Sequence, residues 1–492
     1  MSLSATAARG SAQTVAAQMF RLGLQMIAIV VLARLLTPRD YALVAMVTAV
    51  IGLADLLRDG GLSTAAMQAP SLRLGQRTNL FWANTALGTI TTLLVVAATP
   101  LLVRLYHQEA LYAIAPAMAC VFLLSGMNTQ YRVSLARELR FGTLAMSDVI
   151  GQAAGFVVAL VLAVLGARYW ALVAQQLTVA FTMFAVNLVN CRWLPGWPRR
   201  DASIRDFFRF GFKVFASDAL NYGAQSVDQV LLGATQPPQV LGVYNRAAQI
   251  VVTPLTQVNW PLGRIAIPML SRAQYDDEQF ERAAGKAQLV GSYVTASVLA
   301  VVAGLAGPIT ALLLGRSWSA VAPILAVLAV GGVFRSVAHL NQWLFLSRGR
   351  PGAQLKLDLW TKPLMVAIIV AGLPWGAIGV ATAGVAAWAG YWVVGVVVVA
   401  RVVRVSARRL FSRAALAMTF VGLPAGVAAH YGAGLVSGTI LQVLVGLAAA
   451  AAAGATSLAV PPVRRDLTEL AGLVHHAVRR PGRRRDGSTA GG

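Results

Sequence analysis

LFWANTALGTITTLLVVAATPLLVRL, residues 80–105, carries no charged side chain before Arg104. At about 1.5 Å of rise per residue it is long enough to cross a hydrocarbon core of about 30 Å. Runs of the same kind fill the chain, at residues 11–36, 42–57, 80–105, 111–135, 146–166, 169–190, 211–235 and 241–266. The second half adds 287–314, 319–346, 355–373, 376–403, 414–430 and 435–460. The 492 residues are 57% hydrophobic and 12% charged, about half the charge of an ordinary soluble chain. That leaves too little polar surface to cover soluble domains. The expected fold class is an all-α integral membrane protein with about fourteen transmembrane helices.

The net charge of +23 raises nucleic acid as a partner, and the placement of the charge answers it. With the N-terminus inside, about 33 of the 41 lysines and arginines fall on inward segments, as the positive-inside rule requires. The outward side keeps Arg34, Arg39, Arg104, Arg168, Arg246 and Arg316, while Arg21 and Arg335 lie inside spans. The charge therefore reads as topology facing anionic lipid, with no nucleic acid and both termini cytoplasmic. No cleavage site follows the first apolar run, so it reads as a span and not a removed leader. Cys120 and Cys191 are far apart and read as free thiols.

The chain repeats itself. LARLLTPRDYALV resembles LLGATQPPQVLGVYNRA with an offset of 203 (Tyr41 to Tyr244), and LYAIAPAMACVFLLSGM resembles WSAVAPILAVLAVGGVF with an offset of 207 (Pro116 to Pro323). An even number of spans per repeat makes the halves parallel. The organisation expected is an N-lobe at 1–190, a linker with an interfacial helix (IRDFFRF) at 191–210 and a C-lobe at 211–403. Two extra spans at 404–460 and a basic tail at 461–492 complete it, the six-helix lobes enclosing a central cavity. Leu467, Leu470, Leu473 and Val474 mark one face of a further helix in the tail.

Polar side chains at helical spacing mark stripes on four spans. Thr14, Gln18, Arg21 and Gln25 share a face of the first, and Asp218, Asn221, Tyr222, Gln225 and Asp228 a face of the seventh. Arg246, Gln249, Thr253 and Gln257 mark the eighth, and Arg335, His339 and Gln342 the tenth. Interhelical hydrogen bonds explain such stripes without a ligand. Charges at depth are costly and usually functional, and a guanidinium forks onto phosphate oxygens. The expected substrate-binding set is Arg21, Arg335, Arg246, Gln18, Gln25, Gln249, Asn221 and Tyr222. Asp218, Asp228, His339, Asp55, Arg58 and Asp59 are coupling or gating candidates, with ion pairing or packing as the structural alternative. No phosphate-binding loop is present, since GAGLVSGT at 432–439 lacks the lysine, and no metal-ligand motif occurs. The short outward loops argue against glycosyl-transfer chemistry.

Several segments resemble the polysaccharide flippase family of the multidrug/oligosaccharidyl-lipid/polysaccharide exporter superfamily. They are LARLLTPRDYALVAM (32–46), DGGLSTAAMQ (59–68), TNLFWANTALG (78–88), RELRFGTLA (137–145), YWALVAQQ (169–176), FFRFGFKVFASDALNYGAQSVDQVLLG (207–233), LGVYNRA (241–247) and PMLSRAQ (268–274). The resemblance implies two six-helix lobes with two added helices. It also implies a secondary transporter, not an enzyme, that flips an undecaprenyl-pyrophosphate-linked oligosaccharide across a bacterial inner membrane by alternating access. Polysaccharide polymerase and glycosyltransferases are the partners it implies, with membrane lipids around it. It implies no cofactor, and coupling to a H+ or Na+ gradient. A cation-coupled multidrug antiporter, a membrane-embedded polymerase or ligase, and a lipid II flippase are the rival readings.

Overall fold

The computed structural model describes residues 20, 23–59, 61–69, 71–138 and 140–479; within several helices some side chains also lie outside the description. Every described element is helical: α1 (Gly23–Leu35), α2 (Pro38–Asp59), α3 (Leu62–Gln68), α4 (Leu74–Tyr106), α5 (Leu111–Arg137), α6 (Phe141–Val164), α7 (Tyr169–Cys191), α8 (Arg205–Thr235) and α9 (Pro238–Arg272). There follow α10 (Asp277–Gly304), α11 (Ala306–Leu313), α12 (Val321–Ser347), α13 (Pro351–Gly372), α14 (Gly376–Val403), α15 (Ala407–Leu416), α16 (Leu423–Gly434), α17 (Thr439–Thr456) and α18 (Pro461–Arg479).

Among the described residues, nine helical stretches are long and apolar enough to cross a membrane, with α13 and α14 counted as one from Gly352 to Val403. The chain is therefore a multi-pass all-α membrane protein. The described part of α1 is too short for that measure, and α2, α8 and α9 fall outside it. α8 and α9 carry two of the four polar stripes, whereas α12, which carries another, meets the measure. Of residues 204–210, expected as a separate interfacial helix, Ile204 caps α8 and 205–210 open it without a break, because no proline or turn interrupts the helical hydrogen bonding there. The tail helix expected from its leucine spacing is α18.

Two compact units divide the chain. The first holds Met1–Arg246, Leu313–Val321 and Val370–Val380; the second holds Ala247–Leu312, Ala322–Ile369 and Ala381–Gly492.

In the first unit α4 and α5 are joined by a four-residue turn and pack backbone to backbone. A Cβ on Gly88 would stand 2.6 Å from Phe122 O, and one on Gly126 2.6 Å from Asn84 O. Small residues are what allow such an approach between helices without water. Thr92 Oγ1 donates to Ala119 O at 3.0 Å across the same seam, and Asn187 Nδ2 of α7 donates to Asn128 Oδ1 of α5 at 3.0 Å. Gly126→Leu should lower stability by about 1–3 kcal/mol, read as a lower melting temperature in detergent, with Gly126→Ala intermediate.

In the second unit a core of Phe280, Leu344, Phe345, Trp392 and Val399 joins α10, α12 and α14. Residues 417–422 form a π-helical stretch between α15 and α16, and α10 packs along it. The tail helix is tied down by polar contacts: Tyr293 OH donates to Asp466 Oδ2 at 2.8 Å. Arg413 donates to Gly285 O at 2.7 Å and pairs with Glu469 at 3.3 Å.

The repeat read from sequence recurs in local conformation. Tyr41 and Tyr244 lie in the opening turns of α2 and α9, both buried at 3% exposure. Pro116 and Pro323 lie in the first two turns of α5 and α12. α5 closes with Arg140 N donating to Leu135 O, and α12 with Arg350 N donating to Phe345 O, each at 2.9 Å. The same wide closing bond ends both helices. An arginine then folds back at each end. Arg137 donates to Ala66 O and Ala69 O, each at 2.7 Å, at the C-terminus of α3. Arg348 reaches Gln274 O and the Asp277 carboxylate and lies 4.2 Å over the Phe280 ring.

Candidate functional site

In the first unit, α8 and α9 form a hairpin joined at Gln236 and Pro237. Asp228 accepts from Tyr244 OH at 2.6 Å, and Asn245 Nδ2 donates to Gln229 Oε1 at 3.1 Å. Next along α9, the Arg246 guanidinium lies 3.8 Å over the Tyr41 ring. Its Nε is buried and makes no hydrogen bond, as does the Tyr41 hydroxyl. Tyr41 meets Trp318 edge-on at 5.4 Å, and Trp318 Nε1 donates to Ala33 O at 2.8 Å. Asp40, which accepts from Thr37 N at 2.9 Å and from Thr37 Oγ1 at 2.6 Å, sets the start of α2 beneath them. A helix N-terminus favours a carboxylate there. Close approach completes the arrangement: a Cβ on Gly242 would be 2.2 Å from Pro38 O.

In the second unit three helices each contribute a pair one turn apart. α12 brings Arg335 and His339, α13 brings Asp358 and Lys362, and α14 brings Trp388 and Tyr391. The Arg335 guanidinium lies 5.2 Å from the Trp388 ring centre, and Lys362 Nζ lies 5.1 Å from the same centre and 4.7 Å from that of Tyr391. Trp388 and Tyr391 meet edge-on at 5.7 Å. Tyr391 OH donates to Asp358 Oδ1 at 2.9 Å. Two cations thus share one indole face system, beside a carboxylate already engaged by a phenol. Aromatic rings hold cations without neutralising them, so the cluster carries two cations and one carboxylate, a net positive charge that suits an anion.

Of the expected substrate residues, Arg335 and Arg246 lie in these two clusters. Gln249 follows Arg246 by three residues on α9, its Oε1 buried without a partner. Gln25 is half-buried in α1. Arg21 and Gln18 lie outside the described residues, as do the side chains of Asp218, Asn221, Tyr222, Asp55 and Asp59. Asp228 is hydrogen-bonded to Tyr244, and His339 lies one turn from Arg335. Arg58 Nη1 donates to Thr129 Oγ1 at 2.7 Å, a tie between α2 and α5. Among the described residues no three His, Cys, Asp or Glu side chains gather to hold a metal ion. Both cysteines are free thiols.

Sequence reasoning missed Lys362, Asp358, Trp388 and Tyr391. The positive-inside count takes Lys362 as an inward charge, but it is the twelfth residue of α13. The available signal was Asp358 four residues before Lys362 inside an apolar run, a spacing that places the two on one helix face.

A family model described as polysaccharide biosynthesis protein matches residues 31–323. The chain is 25% identical over 391 residues to the Escherichia coli (strain K12) lipopolysaccharide biosynthesis protein WzxC, covering 77% of this chain and 78% of that protein. It is 25% identical over 309 residues to the Rhizobium meliloti (strain 1021) succinoglycan biosynthesis transport protein ExoT, covering 63% of this chain and 62% of that protein. Among solved structures it resembles the lipid II flippase MurJ in an inward closed conformation. The TM-score is 0.71 at 12% identity, covering 92% of this chain and 99% of that one. At that identity the likeness shows a shared fold.

Proposed function

We propose, from the premise that this chain belongs to the polysaccharide biosynthesis protein family, that it is a flippase for a lipid-linked oligosaccharide. Its substrate is an undecaprenyl-pyrophosphate-linked glycan, carried from the cytoplasmic to the outer leaflet of a bacterial inner membrane for surface polysaccharide assembly. Both termini are cytoplasmic, and the two sequence repeats act as lobes that alternate access under a H+ or Na+ gradient. The polymerase and glycosyltransferases of the same polysaccharide act before and after it.

The observation that carries the reading is the pair Arg335 and Lys362 at mid-helix, both resting on Trp388. Charges inside a span usually mark a substrate path, and a diphosphate offers two anionic centres to a cluster that carries two cations and one carboxylate. A transporter of cationic drugs would set carboxylates in their place.

Deleting the gene tests this. Cells without the chain should lose surface polysaccharide and accumulate lipid-linked repeat units on the cytoplasmic leaflet, both reversed by the wild-type gene. Intact polysaccharide combined with new drug sensitivity would favour the multidrug antiporter instead.

A further inference from the structure

The thirteen residues after α7 form no helix, yet they are fixed along their length. Arg192 turns the chain with a left-handed φ of 48°, and residues 192–204 run back along the opening turns of α4. There Gln76, Asn79 and Trp82, three residues apart and so on one face, bind the backbone of this strap. Gln76 Nε2 donates to Ser203 O at 3.3 Å, and Trp82 Nε1 to Gly196 O at 2.8 Å. Asn79 Nδ2 donates to Arg199 O at 2.6 Å and Ala202 O at 2.7 Å, while its Oδ1 accepts from Arg199 N at 2.8 Å. Arg77 lies 4.1 Å over the Trp193 ring and donates to Cys191 Sγ at 2.8 Å.

With its backbone satisfied by the helix, the strap turns two large apolar side chains outward. Leu194 is 76% and Trp197 87% exposed. Arg192, Arg199, Arg200 and Arg205 are exposed around them, with Asp201 as the one acid between 192 and 205. α4 explains the level at which they sit. Its 33 residues span about 50 Å, against about 30 Å for a hydrocarbon core. The strapped opening turns, polar at Gln76, Arg77, Thr78 and Asn79, are the part that outruns the core. An exposed tryptophan flanked in sequence by exposed arginines at that level has the composition of a headgroup contact.

We propose that residues 192–204 form a membrane-surface anchor that binds anionic phospholipid headgroups. Trp197 and Leu194 enter the interface, and the arginines meet lipid phosphates. The patch is too small for a stable protein partner, which needs roughly 20–30 residues a side.

The test uses the full chain in nanodiscs of phosphatidylcholine, with or without phosphatidylglycerol, doped with headgroup spin-labelled lipid. The difference in emission between wild type and Trp197→Phe isolates Trp197. The expected result is that Trp197 is quenched by the labelled headgroups and shielded from aqueous acrylamide, with shielding increased by phosphatidylglycerol. A variant with Arg192, Arg199 and Arg200 changed to Gln should lose that increase, by up to roughly five-fold in lipid preference per arginine, at an unchanged melting temperature in detergent. Acrylamide access to Trp197 in both discs would overturn the proposal and leave the strap to a soluble partner. Equal shielding from inorganic phosphate added to phosphatidylcholine discs would overturn it too, in favour of a free-phosphate site.

Discussion

Arg335→Met combined with Lys362→Met will leave the protein in the membrane and cut surface polysaccharide export by about 100-fold or more. Each charge-assisted hydrogen bond to an anionic substrate contributes about 1.5–3 kcal/mol, and about 1.4 kcal/mol is a factor of ten in rate. The double variant strands Asp358, whose Oδ1 keeps its bond from Tyr391 OH. Part of the loss will therefore be structural, since the half-buried Asp358 carboxylate loses the cations beside it, and a charge inside a span is costly without them. Adding Asp358→Asn separates the two effects. The triple variant should regain wild-type melting temperature in detergent without regaining export. Lys362→Arg should give an intermediate export level, because it keeps charge on the rings but not the compact ammonium. Export restored together with stability in the triple variant would reduce the cluster to a structural ion pair.

Gly242→Leu carries the second large effect. Its Cβ would sit 2.2 Å from Pro38 O, and backbone atoms line both sides of the contact, so no rotamer relieves the clash. The opening turns of α2 and α9 must part by on the order of 1 Å, enough to forfeit much of the dispersion at the seam. The ring contact between Arg246 and Tyr41 lies one turn away and should open with it. Loss of transport is expected at normal abundance, along with a melting temperature lowered by more than that of Gly126→Leu. Gly242→Ala already introduces the offending atom and should show most of the defect; a silent Gly242→Ala would mean that this contact does not limit the transport cycle.

Much of this fold was legible because lipid imposes one rule on sequence. Backbone polar groups in hydrocarbon must be satisfied within a helix, so runs such as 80–105, 111–135 and 169–190 lie in helices of nearly the expected limits, while 287–314 and 414–430 are divided among shorter helical pieces. The repeat was legible too, since Tyr41 and Tyr244, like Pro116 and Pro323, lie in the first two turns of matching helices. What escaped the reading were contacts made across sequence distance. Asn79 binding Arg199 and Ala202 depends on a strap with no periodicity of its own. Lys362 escaped for a different reason: counting basic residues by side took it with the inward charge, and a lysine resting on Trp388 gives the same count as one in water. The striped helices α8 and α9 gave the opposite lesson. Their polar residues lower the apolar signal used to recognise a span, whereas α12, α13 and α14, which carry Arg335, Lys362 and Trp388, remain apolar enough to be recognised.

The bond from Trp318 Nε1 to Ala33 O joins residues 285 apart. At a synthesis rate of roughly 5–20 residues per second, Trp318 leaves the ribosome roughly 15–60 s after the carbonyl it will bind. For that interval the junction of α1 and α2 has already met the insertion machinery, but lacks the indole that seals it, and Tyr41 lacks its aromatic neighbour. The first unit is therefore completed late, by its most distant segments in the chain. Its early helices must persist in the bilayer as a half-built assembly, which makes the order of birth of these segments part of how the protein is made.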